Sequence, residues 1–247
     1  KRCKFIKINR LKKIDIHFAL LNSSPNNKKT KNDSFLKSIN EYKKILSNLN
    51  KNVVLVYLSS GIVCFKNDLD RGNSFYRSYK KKMEKIVIQN AIKNENTYKI
   101  MRIFSIYGPY MPLQKYAIGL LISSINEKKP LSFHSDGDFF RDYIFVKDLV
   151  KIINIEIKIP RSITINISSK KINFKHLCKN FCKLNNIKNF ITFGKNNNSL
   201  QNYYLDNKDF KKIYPKFNFT SLNKSLLSTM NWLKKAEYRN FKINYEK

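Results

Sequence analysis

Val53 to Val87 reads VVLVYLSSGIVCFKNDLDRGNSFYRSYKKKMEKIV, and its interpretation decides the fold. The unbroken apolar run Val53–Leu58 reads as a strand. It ends in two hydroxyls, Ser59 and Ser60, followed by a polar loop and then a Lys-rich helix. On that helix Tyr76 and Lys80 stand four residues apart, which places a phenol and an ammonium on one face. A free phenol ionises at about pH 10, too high for a base at neutral pH, and a neighbouring cation stabilises the phenolate. With a hydroxyl supplied from the strand end, the set suits proton transfer.

These residues resemble the Ser…Tyr-x-x-x-Lys triad of the extended short-chain dehydrogenase/reductases, specifically the NAD-dependent epimerase/dehydratase family. That family reads S-S-x-x-V-Y-G and then Y-x-x-[ST]-K-x-x-x-E. Here Ser59-Ser60-Gly61-Ile62-Val63 fits the first half, with Cys64 and Phe65 in place of Tyr-Gly. Tyr76, Lys80 and Glu84 fit the second, with Tyr79 in the Ser/Thr position.

The composition admits this chemistry and narrows the alternatives. The 247 residues are 42% hydrophobic and 13% aromatic, enough for a packed core. Lys and Arg number 49 against 17 acidic residues, a net charge of +32. Such an excess raises the rival reading of a nucleic-acid-binding protein. The excess is mostly Lys interleaved with Asn and Ile, however, and Arg is scarce. A base composition favouring Lys, Asn and Ile codons accounts for that pattern, so no nucleic-acid partner is expected. Lys80-Lys81-Lys82 favours an anionic ligand.

Four cysteines, Cys3, Cys64, Cys178 and Cys182, are too few for a disulfide framework and fit a reducing, cytoplasmic setting. Cys178 and Cys182 lie one helical turn apart near His176, but no second ligand pair exists. Helix packing is expected there, and no metal. No apolar run approaches the ~18 residues of a membrane span, and Ile14–Leu21 is a poor signal core, so no membrane association is expected.

Along the chain, Cys3–Asn9 and Ile14–Leu21 read as strands and Phe35–Leu49 has helix spacing. IDIHFAL resembles the family's D-x-V-x-H-x-A, a strand whose end passes close to the cofactor, matched at Asp15, His17 and Ala19. Tyr98–Ile106 predicts a strand running into Tyr107-Gly108-Pro109. RIFSIYGP resembles R-x-x-N-x-Y-G-P, with Ser105 where the substrate-contacting Asn usually stands. Leu113–Asn126 reads as a helix. Asp136 to Leu149, DGDFFRDYIFVKDL, resembles G-D-G-x-x-x-R-D-[FY]-[IV]-x-V-x-D-L with Ser135 for the first Gly. Its Asp-Gly predicts a turn into a buried strand, and Asp148 a helix cap that accepts free N–H groups. Ser162–Ile167 predicts a strand, similar to Y-N-[IV]-G-S at Asn166, with Ser168 for Gly; Phe174–Leu184 predicts an amphipathic helix. Leu205-Asp206-Asn207-Lys208, Ile213-Tyr214-Pro215 and the Leu222–Lys235 segment resemble the family's closing elements. Its Arg-x-Gly-Asp group is not recognisable in KNNNSLQN.

The resemblance implies an α/β fold, a Rossmann-like parallel sheet with crossover helices, N-terminally truncated, plus a smaller C-terminal substrate-binding region. The expected domains are 1–108 with 140–170 for NAD, and 109–139 with 171–247 for a nucleotide sugar. Family members open with G-x-x-G-x-x-G, whose glycines let a helix N-terminus approach the cofactor pyrophosphate. No Gly precedes Gly61, and the chain starts at Lys1. The expectation is a fragment of a longer protein, the alternative a decayed gene product.

Within the family the chain most resembles UDP-glucose 4-epimerases, and Leu58-Ser-Ser-Gly61 is similar to those of surface-polysaccharide pathways. The dehydratase branch carries Thr-Asp-Glu where Ser60-Gly61-Ile62 stands. The resemblance implies Ser60, Tyr76 and Lys80 as catalytic residues. It implies His17, Ala19, Ser59, Tyr76, Lys80 and Tyr107 as ligands of NAD. Ser60, Ser105 and Arg141 would bind substrate, a UDP-hexose, with Arg141 on the diphosphate. Homodimers through helices like Phe75–Ile92 are usual in the family. The alternative is a catalytically inactive relative serving as a partner subunit.

Overall fold

The computed structural model describes residues 16–19, 31–65, 73–188, 190–196 and 202–235. Along the chain run β1 (Ile16–Ala19), α1 (Lys31–Ser47), β2 (Val54–Ser60), α2 (Asn73–Lys93), β3 (Thr97–Ile103), β4 (Ser105–Tyr107), α3 (Ala117–Glu127) and β5 (Leu131–Ser135). Then follow β6 (Phe140–Phe145), α4 (Val146–Glu156), β7 (Ile163–Ile167), β8 (Lys171–Asn173), α5 (Phe174–Leu184), β9 (Ile191–Asn196), α6 (Lys208–Ile213) and α7 (Leu222–Leu233). The predicted strand Cys3–Asn9 lies outside the described residues. No helix among those described is long and apolar enough to cross a membrane.

The chain divides into two compact units, Lys1–Ile103 with Ile152–Ile167, and Phe104–Lys151 with Ser168–Lys247. These boundaries differ from the expected 1–108/140–170 and 109–139/171–247. Residues 104–108, 140–151 and 168–170 belong to the second unit, because the strand expected over Tyr98–Ile106 breaks at Phe104. Its first part pairs with β2 and β7, whereas Ser105–Tyr107 pairs with β6.

The first unit holds a parallel sheet in the order β1-β2-β3-β7. Both β1-α1-β2 and β2-α2-β3 are strand–helix–parallel strand crossovers, as the alternating pattern predicted. Leu55 and Tyr57 of β2 and Ile100 of β3 pack in one cluster with Ile39, Tyr42 and Leu46 of α1 and with Tyr79, Met83 and Val87 of α2. On the opposite face lies Lys99, fully buried, with Nζ 2.9 Å from Glu156 of α4 and 2.9 Å from the carbonyl of Ile159. Arg161 supplies a second cation to Glu156 at 2.6 Å. Burial pulls the Lys99 ammonium toward its neutral form, and Glu156 opposes it.

The second unit joins β4 in parallel and β8 in antiparallel register to β6, and pairs β5 with β9. Its core collects Tyr107, Ile122, Phe139, Tyr143, Phe174, Leu177, Phe181, Leu226 and Trp232. Cys178 and Cys182 of α5 lie in that core, and burial raises both thiols above their usual ionisation range. Gly137 has φ +73°, and a Cβ there would come 2.4 Å from the Phe193 ring, so the Asp136-Gly137 turn requires glycine.

The buried Lys99–Glu156 pair yields a prediction. Glu156→Gln leaves a desolvated ammonium uncompensated and lowers unfolding free energy by about 3–5 kcal/mol. Lys99→Met combined with Glu156→Leu returns it to the wild-type value or above, both measured by urea denaturation.

Candidate functional site

In a parallel sheet the loops beyond the strand C-termini form the ligand-binding edge. At that edge of the first unit, Ser59 of β2, Arg102 of β3 and Asn166 of β7 are register partners, so they form one polar row across three strands. Helix α2 lays Glu84 over this row. Glu84 accepts from the Ser59 hydroxyl at 2.6 Å and from Arg102 Nε at 3.0 Å and Nη2 at 2.7 Å. The guanidinium thus grips the carboxylate with two nitrogens, the geometry that makes such pairs strong. Cys64, at the end of the short turn after β2, donates its thiol to Asn166 at 3.1 Å. Burial raises that thiol against the pull of Arg102.

One turn before Glu84, Lys80 is 6% exposed and donates to the carbonyl of Leu58 at 3.2 Å. Its Nζ lies 5.7 Å from the Tyr76 ring centre and 5.1 Å from that of Tyr57. The structure therefore brings Tyr76 and Lys80 together at the end of β2, as their spacing predicted. Burial pulls Lys80 down to about 8, with Glu84 opposing. Tyr57 is fully buried, its hydroxyl has no hydrogen-bond partner among the described residues, and burial pushes its ionisation well above the usual phenol range. Ser60 is half-buried and its oxygen accepts from Ile62 N at 3.4 Å, capping the turn that follows the strand.

Not every expected ligand has a side chain available. Ser59 is 5% exposed and gives its proton to Glu84, so its hydroxyl is a support for α2 rather than a group presented to a cofactor. His17 and Ala19 lie in β1 opposite Leu55 and Tyr57; their side chains fall outside the described set. Tyr107 belongs to the second unit, where its hydroxyl is hydrogen-bonded to Ser225 of α7 and pushed up to about 12 by burial. Asp148 does not cap α4 as predicted. It sits inside the first turn and accepts from Thr220 N at 2.7 Å and Thr220 Oγ1 at 2.8 Å, tying α4 to the segment before α7.

The second unit contains a cavity of about 840 Å³ that includes Ser105, Tyr107, Tyr110, Arg141 and Lys147 in its lining. Arg141 lies 4.6 Å from the Phe139 ring centre and donates to the carbonyl of Phe140 at 3.1 Å. Burial works against its charge, yet a guanidinium remains a cation in proteins. Its backbone is flanked by β8 through Ile172 and by Tyr203 on the other side. The next residue, Asp142, is fully buried and accepts from the Ser168 hydroxyl, from Ser169 N at 2.9 Å and from Ser169 Oγ at 3.2 Å. Two cations on apolar walls that carry several aromatic rings suit an anionic ligand with a ring to stack. No group of three metal-ligating side chains exists among the described residues.

Sequence reading missed the Glu84–Arg102–Ser59 clamp, although Glu84 and Arg102 were visible as members of two separate motifs. The missing signal was register, which places Ser59 beside Arg102. In unit two, the Tyr107–Ser225 contact is testable by a double-mutant cycle. Tyr107→Phe and Ser225→Ala are each expected to destabilise the chain by about 1 kcal/mol in urea, with the pair of changes costing less than their sum.

The model of the NAD dependent epimerase/dehydratase family matches residues 4–167. No curated protein matches the chain. Among solved structures, a UDP-glucuronic acid 4-epimerase from Bacillus cereus, in complex with UDP-glucuronic acid and NAD, is similar with a TM-score of 0.65 at 17% identity, over 81% of this chain and 67% of that one. A UDP-N-acetylglucosamine 4-epimerase from Methanobrevibacter ruminantium M1 reaches 0.69 at 19% identity, over 89% and 76%. The UDP-glucose 4-epimerase of Thermotoga maritima reaches 0.69 at 16% identity, over 91% and 78%. At such identities the likeness is one of fold, a Rossmann-like α/β architecture. Since the family model covers more than half of the sequence, the chain belongs to the NAD-dependent epimerase/dehydratase family.

Proposed function

We propose that the chain is an NAD-dependent nucleotide-sugar 4-epimerase acting on a UDP-hexose, with the cytoplasm and surface-polysaccharide metabolism as its setting. The observation that carries this reading is the state of Lys80. It is a desolvated ammonium with three N–H donors, and among the described residues only one of them has an acceptor, the Leu58 carbonyl. A buried cation with donors to spare, at the ligand-binding edge of a parallel sheet and beside a tyrosine, fits the hydroxyls of a nicotinamide ribose. Lys80 and Tyr76 would hold that end of NAD. When bound, NAD supplies the acceptor for the hydride at the sugar C4 and gives it back.

The chain's own residues handle the proton and the orientation. Tyr76, as a phenolate, takes the proton from the sugar 4-hydroxyl oxygen and later returns it to the oxygen of the inverted product. Lys80 stabilises the phenolate through its charge. Ser60, at the strand end, hydrogen-bonds the same hydroxyl and holds it toward Tyr76. In the second unit Arg141 provides the forked donor for a diphosphate, and Ser105 a small hydroxyl where the family has a longer amide. The UDP-sugar and NAD ligands of the similar solved structures support this choice of substrate class.

The test is conversion of UDP-glucose to UDP-galactose in the presence of NAD, followed by proton NMR of the anomeric signals. Tyr76→Phe is expected to lower kcat by about 10²–10⁴-fold while leaving the circular dichroism spectrum unchanged. A wild-type chain that binds NAD and UDP but gives no product with any UDP-hexose identifies it instead as an inactive relative. Retention of activity in the Tyr76→Phe variant overturns the assignment of the base.

A further inference from the structure

We propose that Glu84 is a positioning residue for the proton-transfer site: its carboxylate, clamped by Arg102 and Ser59, supplies the counter-charge that lets a desolvated Lys80 remain an ammonium. The role assigned to Lys80 rests on the function proposed above, whereas the electrostatic coupling itself does not.

The geometry separates this arrangement from an ordinary ion pair. Lys80 and Glu84 are one helical turn apart on the face of α2 that meets the sheet. Their heads reach adjacent residues of β2: Lys80 takes the Leu58 carbonyl, and Glu84 takes the Ser59 hydroxyl. Glu84 forms its salt bridge with Arg102. A direct Lys80–Glu84 bond would consume the ammonium donors that a ligand needs. The clamp turns the carboxylate toward the sheet, so that its charge is felt at Lys80 while those donors stay available. Arg102 and Ser59 also fix the direction in which the Glu84 carboxylate points, through three bonds of 2.6, 3.0 and 2.7 Å.

The other groups around Lys80 do not replace this charge. Tyr76 on α2 and Tyr57 on β2 present aromatic faces to the ammonium. Arg102 on β3 is a cation spent on Glu84, Arg77 on α2 donates to the carbonyl of Phe65, and Lys81 is a further positive charge. Cys64, in the turn after β2, is held toward its neutral thiol by burial. Among the described residues around Lys80, Glu84 is thus the anion.

The test follows the Lys80 titration directly by NMR of the full chain labelled with 13C at lysine Cε, the Lys80 signal being identified by its loss in Lys80→Arg. Glu84→Gln is expected to lower the Lys80 midpoint by about one pH unit, a tenfold change in acidity. Arg102→Gln is expected to raise it, and Arg102→Lys to leave it near wild type. A purely structural role would loosen the site in both Gln variants and move Lys80 upward in both. That result, or a midpoint indifferent to Glu84→Gln, overturns the proposal. Should Glu84→Gln fail to fold by circular dichroism, Arg102→Gln against Arg102→Lys carries the test, and equal midpoints in those two overturn it. Because the readout needs neither NAD nor turnover, a coupled Lys80 in a chain without epimerase activity would sink the functional reading and leave this one standing.

Discussion

The Glu84–Arg102 bond governs the organisation of the first unit. It joins a helix to the strand ends at the depth where a parallel sheet receives its ligands, and Ser59 closes it from the neighbouring strand. A carboxylate buried this deeply is tolerated because every donor around it is charged or hydroxylic. The consequence is positional. With α2 fixed at Glu84, the preceding turn delivers Lys80 to Leu58 and Tyr76 to the space beyond it. Chemistry that depends on a phenol and an amine sharing a small volume is therefore set by a bond in which neither takes part.

A second buried carboxylate does related work in the other unit. Asp142 accepts from three donors of Ser168 and Ser169, immediately after β7. The Ser168 oxygen also lies 2.9 Å from the Leu205 carbonyl, and Asn207 donates to the carbonyl of Ser169, so the segment around Tyr203 is anchored beside β6. Arg141 stands next to this hub with backbone neighbours on both sides. Lys80 in the first unit and Arg141 in the second thus stand on backbone that buried hydrogen bonds hold in place.

Lys99 shows the cost of using charge inside a core. It sits on the face of the sheet opposite α2, fully buried and far along β3 from the strand's C-terminal end, held by Glu156 and the Ile159 carbonyl. Its pairing ties β3 to the C-terminal end of α4. Lys80 and Lys99 are both desolvated; among the described residues Lys99 contacts an acidic partner, whereas Lys80 is bonded to a backbone carbonyl.

The sequence by itself determined the strand–helix alternation of the first unit, because apolar periodicity and turn residues are local properties; the short strands β5, β8 and β9 carried no such signal, and the helix expected from Leu113 begins at Ala117. The Val53–Leu58 run, the α5 span and the Asp136-Gly137 turn follow from neighbouring residues alone. It also determined that Tyr76 and Lys80 share a face, since four residues make one turn of a helix. Only the tertiary structure decided which partner each hydroxyl bonds. Ser59 and Tyr107 read as ligands in the sequence, but strand register set the first against Glu84 and packing set the second against Ser225. It likewise decided that Asp148 would reach Thr220 rather than its own helix terminus. The physical reason is common to all three: a polar side chain bonds whatever the fold brings within about 3 Å, and partners separated by 25 to 118 positions leave no trace in the local pattern.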